Sequence, residues 1–182
     1  AYANGWYTVE REPKQFASAA QKVLEKGYKA MKFDPFGNGD MELERDEFYK
    51  SLDLIEAVAS VAGIQAQIMI EMHGRFAPFQ VREIVNQIKK YNIGWIEEPV
   101  RPGDIPALSS VRNDTSLPIA IGERLYGSSE FREVWSSQNV DILQPDITQC
   151  GGILETKKIS STAETYSIMI APHNVGGIIS TM

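Results

Sequence analysis

Glu71, Glu97 and Glu123 stand at equal intervals of 26 residues, and each closes a short apolar run. If those runs are strands of one sheet, three strand ends aim carboxylates into a single basin. Three like charges in a partly desolvated basin repel one another and drive their own pKa values upward unless a cation sits among them. Oxygen-only donors select a hard ion, and Mg²⁺ suits three carboxylates supplemented by water and substrate oxygens. Zinc is disfavoured, since it prefers nitrogen and sulfur and the chain has two histidines and one cysteine. Taken singly, each acid would also suit the first turn of a following helix, where it complements the macrodipole. The equal spacing favours the shared site. In "IEEP" only one of two adjacent side chains can point inward, and Pro99 begins the turn, so Glu97 is expected as the ligand and Glu98 as structural.

Further polar groups follow the other apolar runs. His173 in "IMIAPHNVGG" comes just after the last run, and Asp146 in "ILQPDITQCGG" just after the run before it. Neighbouring strands bring their ends within side-chain reach, so Asp146 can fix the tautomer of His173 and raise its basicity, which makes a dyad suited to proton abstraction. Alternatively, His173 is a half-exposed loop imidazole and Asp146 a turn residue after Pro145. Lys32 and Asp34 end another run, "YKAMKFD", and His73 follows Glu71 by two residues. Lys32 reads either as a strand-end ion-pair partner or as a cation for a substrate carboxylate.

The elements that must position these groups alternate regularly. "YKAMKF", "IQAQIMI", "IGWIEE", "LPIAIGE", "VDILQP" and "YSIMIAP" are of strand length and rich in Ile, Val and Met; "NGWYTV" near the start reads as a seventh strand. Between them lie stripes of helical period. Phe16, Ala19, Ala20, Val23 and Leu24 stop at Gly27, and Phe48, Leu52, Ile55, Val58, Ala59 and Ala62 stop at Gly63. Val81, Ile84, Val85, Ile88 and Tyr91 make a third stripe and Ile105, Leu108 and Val111 a fourth. Phe131, Val134 and Trp135 follow Ser128 as an N-cap, and Ile153, Leu154, Ile159 and Ala163 mark a sixth. Strand and helix in alternation predict a parallel sheet. With no Gly-x-Gly-x-x-Gly turn, and with polar residues repeatedly at carboxyl ends of strands, a TIM-type (β/α) barrel is preferred to an open doubly wound sheet.

Composition narrows the classes. The 182 residues are 43% hydrophobic and 23% charged, in the range of one globular domain. A net charge of -6 argues against a nucleic-acid surface and favours a cation or a metal-bridged acid as guest. No run of about 20 apolar residues predicts a membrane span, and no secretory signal opens the chain. One cysteine, Cys150, precludes an internal disulfide framework and fits the cytoplasm.

The order of strand-end motifs, an acid, then "EEP", "GER", "PD" and "PHN", resembles the enolase superfamily, in its mandelate racemase subgroup, and most of all the acid-sugar dehydratases typified by galactonate dehydratase. The resemblance runs from "GYKAMKFDPFG" to "APHN". It implies a Mg²⁺ site at Glu71, Glu97 and Glu123, a general base at His173 with Asp146, and His73 as the acid that helps a β-hydroxyl depart from an aldonate or aldarate. The product implied is a 2-keto-3-deoxy acid. Two departures stand out. Glu71 replaces the usual Asp, and the Lys-x-Lys of the racemase members reads "KFD", so Asp34 stands where a second lysine would and one-sided chemistry is favoured over racemisation. Lys32 and Asp34 are carried as substrate-binding candidates. A racemase or epimerase of the same superfamily, and a barrel fragment without catalysis, are the competing readings. A complete barrel needs eight strands and about 250 residues. With about seven strands counted and no capping domain recognised, residues 1–182 are expected to be a partial barrel catalytic domain from a longer enzyme that acts as a homo-oligomer.

Overall fold

A computed structural model describes residues 1–177 and 181 of the chain. It contains β1 (Ala30–Phe33), β2 (Gln67–Glu71), β3 (Ile93–Glu97), β4 (Ile119–Ile121), β5 (Ile142–Leu143) and β6 (Met169–Ile170). The helices are α1 (Pro13–Glu25), α2 (Arg45–Ala62), α3 (Pro78–Ile88), α4 (Ile105–Asp114), α5 (Gly127–Ser137) and α6 (Ile153–Thr165). All strand pairings are parallel, and the sheet order follows the chain from β1 to β6 without reversal. A right-handed crossover repeated in one direction puts every helix on the same side of the sheet. Successive helices accordingly pack on one another, α1 on α2 through α5 on α6. This is the wall of a (β/α) barrel, and not a doubly wound sheet, which would change direction at a switch point.

The two faces of the sheet differ in chemistry because side chains alternate along each strand. Met31, Phe33, Ile68, Ile70, Ile96, Ile119, Ile121 and Leu143 join the main apolar cluster with Phe16, Ile55, Val58, Val81, Ile84, Val111 and Phe131 of the helices. The intervening positions carry Lys32, Glu71, Trp95 and Glu97, and Gln144 continues that face just past β5. The outer face thus supplies the hydrophobic stabilisation and the inner face the polar groups.

Helix ends fall near the predicted stops. Gly63 caps α2 and Gly27 follows the cap of α1 with φ of 86°. Ser128 lies inside the first turn of α5, whose N-cap is Tyr126. The predicted seventh strand, residues 4–9, does not form. Ala3 makes one parallel bridge to Met31, after which Gly5, at φ of 66°, turns the chain away. Trp6 then packs edge-on against Tyr7, Phe16 and Phe33, so aromatic burial and not sheet pairing accounts for the apolar pattern there. Ile153 and Leu154, assigned to the buried stripe of α6, are instead about three-quarters exposed.

Candidate active site

Glu71 and Glu97 are the last residues of β2 and β3 and face each other across the register. Glu123 lies two residues past β4. One carboxylate oxygen from each of the three falls within 4.8 Å of the other two. Glu71 and Glu97 are buried. The predicted convergence is therefore present, and a donor set made only of oxygens fits a hard divalent cation.

Lys32 lies beside this cluster. Its Nζ donates to Glu71 Oε2 at 3.0 Å and to Glu97 Oε1 in a shorter contact. Of the two readings left open for Lys32, the structure displays the ion pair. Burial disfavours the Lys32 ammonium, but Glu71 and Glu97 more than offset this and hold its pKa above the ordinary value. Burial and the adjacent Glu71 push Glu97 up to about 8, with Lys32 pulling against them. Burial also opposes ionisation of Glu71, yet its interaction with Glu97 and Lys32 leaves it below the usual range.

Sequence reasoning assigned no chemistry to Trp95 and did not consider Gln144. Trp95 Nε1 and Gln144 Nε2 both donate to Glu97 Oε2 at 2.8 Å. Each lies two residues before a site acid, Trp95 before Glu97 and Gln144 before Asp146, so the period-two rule applied backwards from each acid would have found them. Gln144 is fully buried, and its Oε1 has no hydrogen-bond partner among the described residues. Glu98 takes a structural position: buried, at φ of 42°, it accepts from the Gly122 N–H at 2.8 Å and links the ends of β3 and β4. Burial raises its pKa to about 7. Gly122 itself, at φ of 133°, leaves little room for a side chain, since a Cβ would sit 3.0 Å from the Gln144 backbone nitrogen.

The two histidines bracket the acids. Asp146 and His173 form a parallel bridge beyond β5 and β6, and His173 Nδ1 lies 2.8 Å from Asp146 Oδ2. A carboxylate only accepts, so Nδ1 is the donor of this bond. Nε2 lies 3.1 Å from Glu123 Oε2. Thr148 donates to Asp146 Oδ1 from both its N–H, at 2.8 Å, and its hydroxyl, at 2.6 Å. Burial opposes ionisation of Asp146, but the bonds from Thr148 and His173 outweigh it and hold the carboxyl below its ordinary range.

At the other end, His73 is half-exposed. Its backbone N–H donates to Glu71 Oε1 at 2.8 Å, and its Nδ1 lies 2.6 Å from Asp34 Oδ2. Asp34 Oδ2 also accepts from Arg75 Nη2 at 2.6 Å, and Oδ1 from the Phe36 N–H at 2.8 Å. The hydrogen bond to Asp34 is the main reason that the His73 pKa lies above its ordinary value, against the effect of burial. Arg75 and Arg124 are ion-paired, the latter with Glu123 at 3.3 Å.

Sequential parallel strands, helices on the outside and an acidic cluster at the strands' carboxyl ends define a (β/α)-barrel protein whose polar inner face converges on one basin. The chain belongs to the enolase C-terminal domain-like family, whose family model matches residues 15–182. It is 38% identical over 181 residues to the D-gluconate/D-galactonate dehydratase of Picrophilus torridus, covering 100% of this chain and 46% of that protein. It is 33% identical over 181 residues to the D-xylonate dehydratase of Haloferax volcanii, covering 95% of this chain and 44% of that protein. A solved mandelate racemase/muconate lactonizing enzyme from Jannaschia sp. CCS1 superposes with a TM-score of 0.90 at 32% identity, over 99% of this chain and 49% of that one. An enolase superfamily member from Salmonella Typhimurium gives a TM-score of 0.93 at 28% identity, over 100% and 51%. The chain thus spans about half the length of the proteins it matches.

Proposed function

We propose that the full-length protein is a Mg²⁺-dependent dehydratase of sugar acids, to which this chain contributes the cation site, the general base and the general acid. The observation that carries the proposal is the bracketing of three convergent carboxylates by two histidines, each hydrogen-bonded through Nδ1 to an aspartate. Glu71, Glu97 and Glu123 would hold the cation, and when bound it supplies the fixed positive charge without which an α-proton of a hydroxy-carboxylate is too weakly acidic for an imidazole. Lys32 adds a second buried positive charge beside the cluster.

His173 takes the α-proton on Nε2 while Asp146 stabilises the imidazolium that forms and Thr148 keeps Asp146 oriented. His73 delivers a proton from Nε2 to the β-hydroxyl as its C–O bond breaks, so the group departs as water. The resulting enol tautomerises to a 2-keto-3-deoxy acid. The dehydratase relatives act, by their names, on gluconate, galactonate and xylonate, and this supports an aldonate or aldarate substrate. The cytoplasm is the compartment we propose, which suits the single free Cys150.

The test is a panel of aldonates and aldarates incubated with the full-length protein and Mg²⁺ in deuterated water. Formation of a 2-keto-3-deoxy acid is expected. Deuterium uptake at Cα with inversion and no loss of water would replace this reading with a racemase or epimerase, and absence of Mg²⁺ binding by calorimetry would replace it with a non-catalytic barrel.

A further inference from the structure

Asp34 touches none of the three convergent acids in any hydrogen bond or ion pair described, yet its carboxylate is fully engaged. Oδ2 receives His73 Nδ1 and Arg75 Nη2, each at 2.6 Å, and Oδ1 receives the Phe36 N–H. Arg75 is in turn held by the Gly37 carbonyl, to which Nη1 donates at 2.7 Å. The side chain of Asp34 is 12% exposed and that of His73 is 40% exposed. An imidazole so open to solvent would otherwise sample several rotamers. Its main chain is also unusual, since φ at His73 is 52°, in the left-handed region that non-glycine residues rarely enter. The His73 N–H on Glu71 Oε1 anchors that backbone.

We infer that Asp34 is a positioning residue for His73: by accepting the Nδ1–H it fixes the ring orientation, so that the doubly protonated ring turns its Nε2–H towards the departing hydroxyl. The inference rests on the dehydratase reading above. It gives the chain two Asp–His pairs with distinct tasks, Asp146 serving the base and Asp34 serving the acid, and it accounts for Asp34 in a role other than substrate binding. Arg75 keeps Asp34 from swinging away, because both of its terminal nitrogens are committed, one to Asp34 and one to the Gly37 carbonyl.

The test compares the full-length wild type with Asp34→Asn, a substitution of the same size that can keep the Phe36 contact. Three reactions are followed: loss of water from the sugar acid, loss of fluoride from its β-fluoro analogue, and exchange of the α-proton in deuterated water. Fluoride leaves with the bonding electrons and needs no proton from His73, while His173 takes the α-proton in all three. Asp34→Asn is expected to lower kcat for water loss by about 10² or more, the size of one general-acid contribution, with KM, fluoride loss and α-proton exchange close to wild type. Undiminished water loss would overturn the inference, and so would equal loss of all three reactions, which would make Asp34 merely structural. Failure of the wild type to eliminate water would instead overturn the dehydratase reading. Independently of turnover, the ¹⁵N and ¹H shifts of His73 Nδ1 should report an N–H bonded to a carboxylate in the wild type and lose that signature in Asp34→Asn; its absence in the wild type would also overturn the inference.

Discussion

At the scale of single residues, the site is a balance of buried charge. Lys32 bonds to Glu71 and Glu97, and all three side chains are at most 3% exposed. Removing the ammonium while leaving two buried acids should destabilise the cation-free protein at about pH 8 by roughly 3 kcal/mol. Lys32→Met is therefore expected to show a lowered Tm that Mg²⁺ restores in large part, measured by thermal denaturation with and without the ion. His173→Asn removes the proposed base but keeps a group that can bond to Asp146. Its expected outcome is loss of α-proton exchange and of product by a factor of about 10² to 10⁴, with Mg²⁺ binding by calorimetry retained. The acids and histidines were legible as residue types at strand ends. The partners of Asp34 were not, because a hydrogen bond between residues 39 positions apart leaves no mark in local spacing.

At the scale of elements, hydrophobic period placed all six helices and six of the seven predicted strands. The exception at residues 4–9 has a clear cause: the aromatic residues that favour a strand, Trp6 and Tyr7, also pack edge-on with Phe33, and Gly5 permits the turn that allows it. Local capping is separable from the site. Asp104 accepts from the Ala107 N–H at 2.9 Å at the start of α4, where Pro106 occupies the first turn. Asp104→Ala should lower stability by about 1 kcal/mol, read as a shifted urea midpoint, with no change in Mg²⁺ affinity. A change in that affinity would mean that α4 and the strand-end loops are coupled in a way its capping does not predict.

At the scale of the whole molecule, the acids couple folding to pH and, under the proposed function, would couple it to the ion. Without a cation, Glu97 in the folded state has its pKa raised from 4.5 to about 8. Between those values the folded protein holds a proton that the unfolded chain releases, so the stability contributed by Glu97 falls as pH rises. A divalent cation competes with that proton. The gain in Tm on adding Mg²⁺ should therefore be larger at about pH 8 than at about pH 5, as differential scanning calorimetry would show; an equal gain would remove Glu97 from the ion's ligands. What the amino-acid sequence determined by itself is the alternation of strand and helix and the placing of an acid, histidine or aspartate at successive strand ends, because both are written in local period and spacing. Only the tertiary structure decided which groups meet: that Lys32 bridges Glu71 and Glu97, that Trp95 and Gln144 converge on one carboxylate, and that Asp34 holds His73. Sheet curvature and register bring those side chains together, and they depend on the packing of every helix against the outer face, which no single stretch of chain encodes.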